Sequence, residues 1–448
     1  MKKIIIINNA WICQIKQKLI TPIFGDLVID DGRIAAIRPR NFADFLADRA
    51  GAATGDIDAA GRVITVPLVN FHEHCYSRLA KGLPLAGSMA NFDQILKNFW
   101  WQVDQALDLD MIRASAQMAV LESIQSGVTY IFDHHASPRA IQGSLRTIAE
   151  VFVDLGVRGV LCIEASDRHG QAAAQYMLAE TEAFNKFFGN SELKVMVGLH
   201  ATFTLSETTL QKAAQLVRNL QSGIHIHVCE DRLDRDQNLR AYNETPVQRL
   251  HRHGLLNSKS ILAHGVHLDE GDYDLLKQSR SALAYNPDSN LNNSVGLPEY
   301  SKAPLEIPIV VGTDGMHANV GRSLKQILLL YRHQGNSFDR SIQWLQKIYF
   351  DQLAFVKAYF PDFPALLIND RADLIIWDYL PPTHFSSENF WGHFIYGMLE
   401  YPIYSVMMNG RVLLNNKNFN FDLSMRNQIC QQGRRLYDNI KLMVDRPS

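Results

Sequence analysis

The stretch Val69-Asn70-Phe71-His72-Glu73-His74 places two histidines two residues apart, where an apolar run ends. Alternate side chains on a strand share a face, so His72 and His74 on a strand point the same way. Two neutral imidazoles converging at a strand end make half of a metal site, and the remaining ligands must come from elsewhere in the fold. In a chain with 16 histidines such a pair also arises by chance, as exposed residues at a strand end. The rest of the sequence decides between these readings.

Downstream, short apolar runs alternate with longer helical patterns, the signature of repeated strand–helix units and a parallel sheet. Candidate strands are residues 68–70, 128–132, 157–163, 193–199, 224–228, 260–263, 281–285 and 309–312. Eight such units predict an α/β fold, a closed (β/α)8 barrel. Met111, Ala114, Met118, Leu121 and Ile124 recur at helical spacing, with Asp110 as the expected N-cap and Gly127 as the stop.

Titratable residues follow nearly every apolar run. The first ends in His72 and His74, the second in Asp133-His134-His135, the third in Glu164 and Asp167, and the fourth in His200. His227 and Glu230 follow the fifth, His264 the sixth, Asn286 the seventh and Asp314 the eighth. The C-terminal strand ends of a (β/α)8 barrel surround one mouth, so these distant residues become neighbours there. Glu164, Asp167 and Asn286 also fit an ordinary role as satisfied polar groups at strand ends.

The flanks have a different character. Residues 4–7, 25–29, 33–37 and 62–66 read as short strands, with Asp30-Asp31-Gly32 as a turn and residues 41–55 as a surface connection. Residues 372–378 and 405–413 read as strands, the second a hairpin through Asn409-Gly410. Strands from both chain ends are expected to share a small β-sandwich, and the helical spacing of residues 424–444 places a last helix outside the barrel. The expected division is 1–66 and 366–423 for the small β domain, 67–365 for the barrel and 424–448 for the terminal helix.

Composition narrows the partners. A 448-residue chain, 47% hydrophobic and 20% charged, suits one large barrel with an appendage or two to three ordinary domains. A net charge of -2 and the lack of a basic stripe argue against nucleic acid or an anionic membrane as partner. The five cysteines are scattered, with no C-x-x-C pair, which suits a reducing, cytoplasmic setting. Lys2-Lys3 and the run Ile4 to Ile7 are cut short by Asn8-Asn9, which reads as a first strand rather than a signal peptide. No apolar run approaches the ~20 residues that cross a bilayer.

The chain resembles the amidohydrolase superfamily in its deaminase and chlorohydrolase branch, and is most like the SsnA-type aminohydrolases. The resemblance rests on residues 69–74, Phe132-Asp133-His134-His135-Ala136-Ser137-Pro138, Ile226-His227-Val228-Cys229-Glu230, residues 262–268, Asn286-Pro287-Asp288-Ser289-Asn290 and Val311-Gly312-Thr313-Asp314-Gly315. It departs mildly at Pro67-Leu68, where Pro-Gly is usual, and at Glu73, where Thr is common. It implies metal ligands His72, His74, His227 and Asp314, holding one divalent transition metal, Zn²⁺ or else Fe²⁺, which lowers the pKa of a water to about 7. Binuclear relatives bridge two metals with a carboxylated lysine at the end of strand four. Here His200 ends that strand and Lys194 begins it, so one ion is expected.

The resemblance further implies Glu230 as general acid and base, Asp314 as acceptor of the water proton, and His264 as a group that holds the water or the developing oxyanion. His200, His134, His135 and Trp100 are expected to contact the substrate, a small molecule with a flat nitrogen heterocycle, purine-like or imidazole-like, that loses ammonia. A cyclic amidase or chlorohydrolase on a similar ring is the alternative, and a catalytically inactive binding barrel a third reading that the retained ligand set disfavours. The wider family suggests a homodimer. His251 and His253 read as a solvated helix face, and Cys75 and Cys229 as inert buried thiols.

Overall fold

Alternation of apolar residues carries the first strand well beyond residue 7. In the computed structural model, which describes residues 4–47, 55–84, 87–188, 192–299 and 302–444, β1 (Ile4–Lys16) pairs antiparallel with β2 (Leu19–Asp30) along its length. Asn8-Asn9, expected to end the strand, instead makes a bulge where the register shifts and Asn9 takes φ +54°. The hairpin turns at Gln17-Lys18, both left-handed. Neither is a turn-type residue, which is why sequence pattern alone stopped short. β3 (Arg33–Pro39), β4 (Ile57–Asp58) and β5 (Val63–Thr65) follow. Within the expected connection at 41–55, Phe42–Ala47 is helical, and residues 48–54, like Met1 to Lys3, lie outside the described residues.

The apolar runs of the middle of the chain are β6 (Leu68–Glu73), β7 (Val128–His135), β8 (Arg158–Ile163), β9 (Leu193–Val195), β10 (Val197–Ala201), β11 (Ile224–Val228), β12 (Ile261–His264), β13 (Ala282–Tyr285) and β14 (Ile309–Val311). The expected fourth strand breaks at Met196. Its first half joins the sheet β6-β7-β8-β9, and its second opens the sheet β10-β11-β12-β13-β14. Pairing is parallel from β7 to β9 and from β10 to β14. The fold is therefore mixed α/β with parallel sheets. Isolated parallel bridges join Glu73 to Asp314 and Ala165 to Leu199. Every residue of β6, β7 and β8 is buried, as continuous apolar runs covered on both faces require. The helix Leu109–Gln125 starts two residues earlier than expected. Its cap is Asp108, whose Oδ1 accepts the Met111 N–H at 2.9 Å, rather than Asp110.

β15 (Leu374–Trp377), β16 (Ile403–Met408), β17 (Arg411–Asn415) and β18 (Asn418–Phe419) complete a nine-stranded sheet, in the order β18-β17-β16-β15-β5-β1-β2-β3 with β4 beside β1. Asn409 and Gly410, both at positive φ, turn β16 into β17. Strands from both chain ends meet where β15 runs antiparallel to β5, pairing Ile376 with Ile64. The last helix, Met425–Val444, buries Leu436 and Ile440, and Arg435 pairs with Asp108 at 2.7 Å. The chain divides into two compact units: Met1–Leu68, Ser123–Thr129 and Phe360–Leu423 form one, and Val69–Glu122, Tyr130–Tyr359 and Ser424–Ser448 the other. Among the described residues no helix is long and apolar enough to cross a membrane.

Candidate active site

His72 and His74 leave β6 on one face with ring centroids 4.8 Å apart. The backbone beyond β14 is fastened to them: the N–H groups of Thr313 and Asp314 donate to the His72 carbonyl oxygen at 3.0 and 2.9 Å. A Cβ on Gly312 would stand 2.5 Å from His72 Cβ and 2.4 Å from Asn286 Oδ1, so only glycine allows that approach. His227, near the end of β11, donates Nδ1–H to the His200 carbonyl at 2.9 Å, which leaves its Nε2 3.1 Å from His74 Nε2. His74 donates its own Nδ1–H to the His134 carbonyl at 2.6 Å. His264 ends β12 at φ +75°. The Asn290 amide donates to its Nδ1 at 2.9 Å, so its N–H is at Nε2, 3.4 Å from Glu230 Oε2 and 3.9 Å from Asp314 Oδ2.

The donor set fits a metal ion. With Nδ1–H of both His74 and His227 spent on carbonyls, the two rings turn Nε2 toward each other. Burial opposes a charge on His74, but the contact with Asp314 outweighs it and raises His74 to about 9, which favours a positive charge at that nitrogen. Asp314 Oδ1 stands 2.9 Å from His74 Nε2 and 3.5 Å from His72 Nε2, and His72 Nε2 is buried with no hydrogen-bond partner among the described residues. Lone pairs packed so closely repel unless a proton or cation lies between them. A tetrahedral ion with bonds of about 2.1 Å holds its ligand atoms about 3.4 Å apart, close to the spacing here, and three imidazoles with a carboxylate suit zinc or a neighbouring transition metal.

Burial, and after it the charge of Asp314, pushes the Glu230 carboxyl well above the usual carboxylate range, against one amide N–H from Asn293 at 3.2 Å. Burial acts the same way on Asp314, but the contacts from His72 and His74 outweigh it and hold that carboxyl well below the usual range. Burial lowers His264 to about 3, so it is neutral. The cavity beside these groups measures about 790 Å³ with its open mouth included. His74, His227, Asp314 and Glu230 line it, together with Trp100, Trp101 and Phe203.

Residues 63–346 match the sequence profile of the Amidohydrolase family. This chain belongs to the amidohydrolase family. It is 25% identical over 426 residues to a 5-methylthioadenosine/S-adenosylhomocysteine deaminase of Desulforudis audaxviator, covering 92% of this chain and 94% of that one. It is 25% identical over 427 residues to a 5'-deoxyadenosine deaminase of Methanosarcina acetivorans, covering 92% and 93%. Its fold matches the crystal structure of an adenosine deaminase from Xanthomonas campestris with bound zinc at a TM-score of 0.75 and 18% identity, over 98% of each chain. As an amidohydrolase with deaminase-named relatives, it is a hydrolase of carbon–nitrogen bonds.

Of the residues expected to contact substrate, Trp100 and His200 line this amidohydrolase's cavity and His134 and His135 do not. Thr204 gives its hydroxyl hydrogen to the Ala201 carbonyl at 2.9 Å, so His200 donates Nδ1–H to Thr204 Oγ1 and turns a bare Nε2 outward. His134 is fully buried, with Nε2–H shared between the carbonyls of Leu199 and His225 at 3.1 Å each, and His135 is held by Ser137 at 2.8 Å. Glu73, unexplained by the sequence, is buried among Arg78, Thr313 and Asn70 and is not among the cavity-lining residues. Sequence reasoning noted Ser289 and Asn290 within the motif at 286–290 but gave them no role, and it missed Asn293. Ser289 donates to Asp314 Oδ2, and the other two set His264 and Glu230. The signal was available in the helix Pro287–Asn292, which starts directly at the end of β13 and so presents its first turn to the rim.

Proposed function

We propose that this amidohydrolase is a mononuclear metal-dependent aminohydrolase that removes an amine from a small nitrogen heterocycle, purine-like or imidazole-like, with release of ammonia. His72, His74, His227 and Asp314 hold one divalent ion, zinc before iron. When bound, such an ion supplies acidification of water, to a pKa of about 7. Asp314 accepts the proton of the attacking water. His264 Nε2–H stabilises the oxygen as it adds to the ring carbon. Glu230, its carboxyl raised by burial, gives its proton to the adjacent ring nitrogen. As the C–N bond breaks, Asp314 passes the first water proton to the departing amine, which leaves as ammonia, and Glu230 recovers the remaining hydroxyl proton as the carbonyl forms. His200 Nε2 accepts a hydrogen bond from the ring, and Trp100, Trp101 and Phe203 give it a flat apolar wall.

The observation that carries this reading is geometric: Glu230, a buried carboxyl pushed above the usual carboxylate range, faces the same cavity as His74, His227 and Asp314. The domain reading follows the same lines: residues 67–365 as a closed (β/α)8 barrel, supported by the bridges from Glu73 to Asp314 and from Ala165 to Leu199. Residues 1–66 and 366–423 form the small β-sandwich and 424–448 a terminal helix. The free cysteines, four buried and one exposed, suit a reducing cytoplasm.

The test is a heterocycle panel with zinc-loaded protein, read by ammonia and by loss of ring absorbance. It begins with 5'-modified adenosines, because two relatives carry such names. Ammonia in step with absorbance loss is the expected result. Ring-opened acids without ammonia would make it a cyclic amidase, and halide a chlorohydrolase.

A further inference from the structure

We propose that His225, two residues before His227 on β11, is a positioning residue that fixes the tautomer of His72 and so opens His72 Nε2 to the metal. This rests on the metal reading above. His72 and His225 are both fully buried, with His72 Nδ1 and His225 Nε2 2.9 Å apart. One proton lies between them. Were His225 the donor, the His72 proton would sit at Nε2, facing Asp314 Oδ1 at 3.5 Å and closing that nitrogen to any metal. With His72 as donor, Nε2 is a bare lone pair.

The far side of His225 decides which holds. Its Nδ1 lies 3.9 Å from Cys162 Sγ, and the Cys162 thiol donates to the Asp133 carbonyl oxygen at 3.3 Å. With its single hydrogen used there, the sulfur can only accept from His225. His225 therefore carries its proton on Nδ1. A fully buried imidazole with no carboxylate partner stays neutral and has only that one proton, so its Nε2 accepts and His72 donates. Every proton is then accounted for along a line through β7, β8, β11 and β6: Cys162 S–H to Asp133, His225 Nδ1–H to Cys162, His72 Nδ1–H to His225. His74 and His227 need no such device, because each gives Nδ1–H to a backbone carbonyl, which cannot donate. Of the three ligand histidines, His72 alone has its tautomer chosen by another side chain.

The experiment measures zinc affinity by competition with a chromophoric chelator, and thermal unfolding of the metal-free protein, for wild type, His225→Leu and His225→Gln. A glutamine oxygen accepts a proton from His72 Nδ1 and leucine does not. Leucine should weaken zinc about 10–100-fold, the usual range for losing a partner of a metal ligand, and glutamine should restore it to within about threefold. Leucine binding zinc like wild type, or glutamine as weakly as leucine, overturns the proposal. If the leucine variant does not fold, nitrogen-15 NMR of the metal-free wild type decides. An Nδ1–H tautomer of His72 supports the proposal and an Nε2–H tautomer overturns it. Wild-type protein that takes up no zinc overturns the metal reading, a result distinct from any variant's.

Discussion

Glu73 and Glu230 both stand within three residues of a candidate metal histidine, both are buried, and they do opposite things. Glu73 is surrounded: the Arg78 guanidinium pairs with it, Asn70 donates at 2.6 Å and Thr313 at 3.0 Å. Burial raises its carboxyl and Arg78 pulls it back, to about 7. Among the described residues Glu230 is paired with no arginine or lysine; the Asn293 amide donates at 3.2 Å, His264 Nε2 lies 3.4 Å from Oε2, and the carboxyl opens on the cavity. The partners rather than the residue type decide the role. A buried carboxylate enclosed by a cation and donors is framework, whereas one left with weak donors beside a second negative charge is pushed toward holding a proton it can give away.

The sharpest way to break this contrast starts with the ligands on which both glutamates border. His227→Ala should lose the bound ion and with it all measurable turnover, because three remaining ligands hold a catalytic metal poorly. Elemental analysis should find about one ion per wild-type chain and only background in the variant. Two ions per wild-type chain would defeat the mononuclear reading. On the framework side, Arg78→Met leaves Glu73 buried without its cation and should cost about 3–5 kcal/mol in urea unfolding, the usual price of breaking a buried pair. A loss below about 1 kcal/mol, the scale of an exposed pair, would mean that Asn70 and Thr313 suffice.

Glu230→Gln should keep fold and metal content while turnover falls at least about 10²-fold, since the amide keeps the shape but cannot pass the proton. Near-normal turnover would move the acid role to His264. The smallest effect belongs to Glu73→Gln, expected to leave turnover within about tenfold, well short of removing a general acid. Glu73 has a folded pKa of about 7 against an ordinary 4.5, so it binds its proton more tightly when folded. Its contribution to stability is complete below about pH 4.5 and is lost as pH rises through about 7. Metal-free Glu73→Gln should therefore lose less stability than wild type between about pH 5 and about pH 7.5 in urea titrations. Asp133 and Glu164, both raised to about 6 by burial, act with the same sign, so the slope is reduced and not abolished. An unchanged slope would show that Glu73 is ionised at no cost.

Much was legible before any coordinates. The apolar runs followed by His72, His227, His264 and Asp314 became buried strands, because a parallel sheet covered on both faces needs unbroken apolar residues whatever surrounds them. Asn409-Gly410 announced its hairpin through the positive φ that those residues accept. Gln17-Lys18 did not, since its left-handed turn is imposed by the long pairing of β1 and β2 rather than by its own residues. The break at Met196 was equally silent, because one apolar run served two sheets.

The site divides along the same line. Sequence by itself determined which residue types sit at the strand ends, since a strand end is a local event written in the run that precedes it. Only the tertiary structure decided what each one does. His134 and His135 end a strand as His72 and His74 do, yet carbonyls from β10 and β11 hold His134 and Ser137 holds His135, both away from the cavity. The upward shift of the Glu230 carboxyl likewise comes from burial and from Asp314, 84 positions away in the sequence. Hydrogen-bond partners and dielectric are properties of the space around a group, and that space is filled by segments distant in the chain.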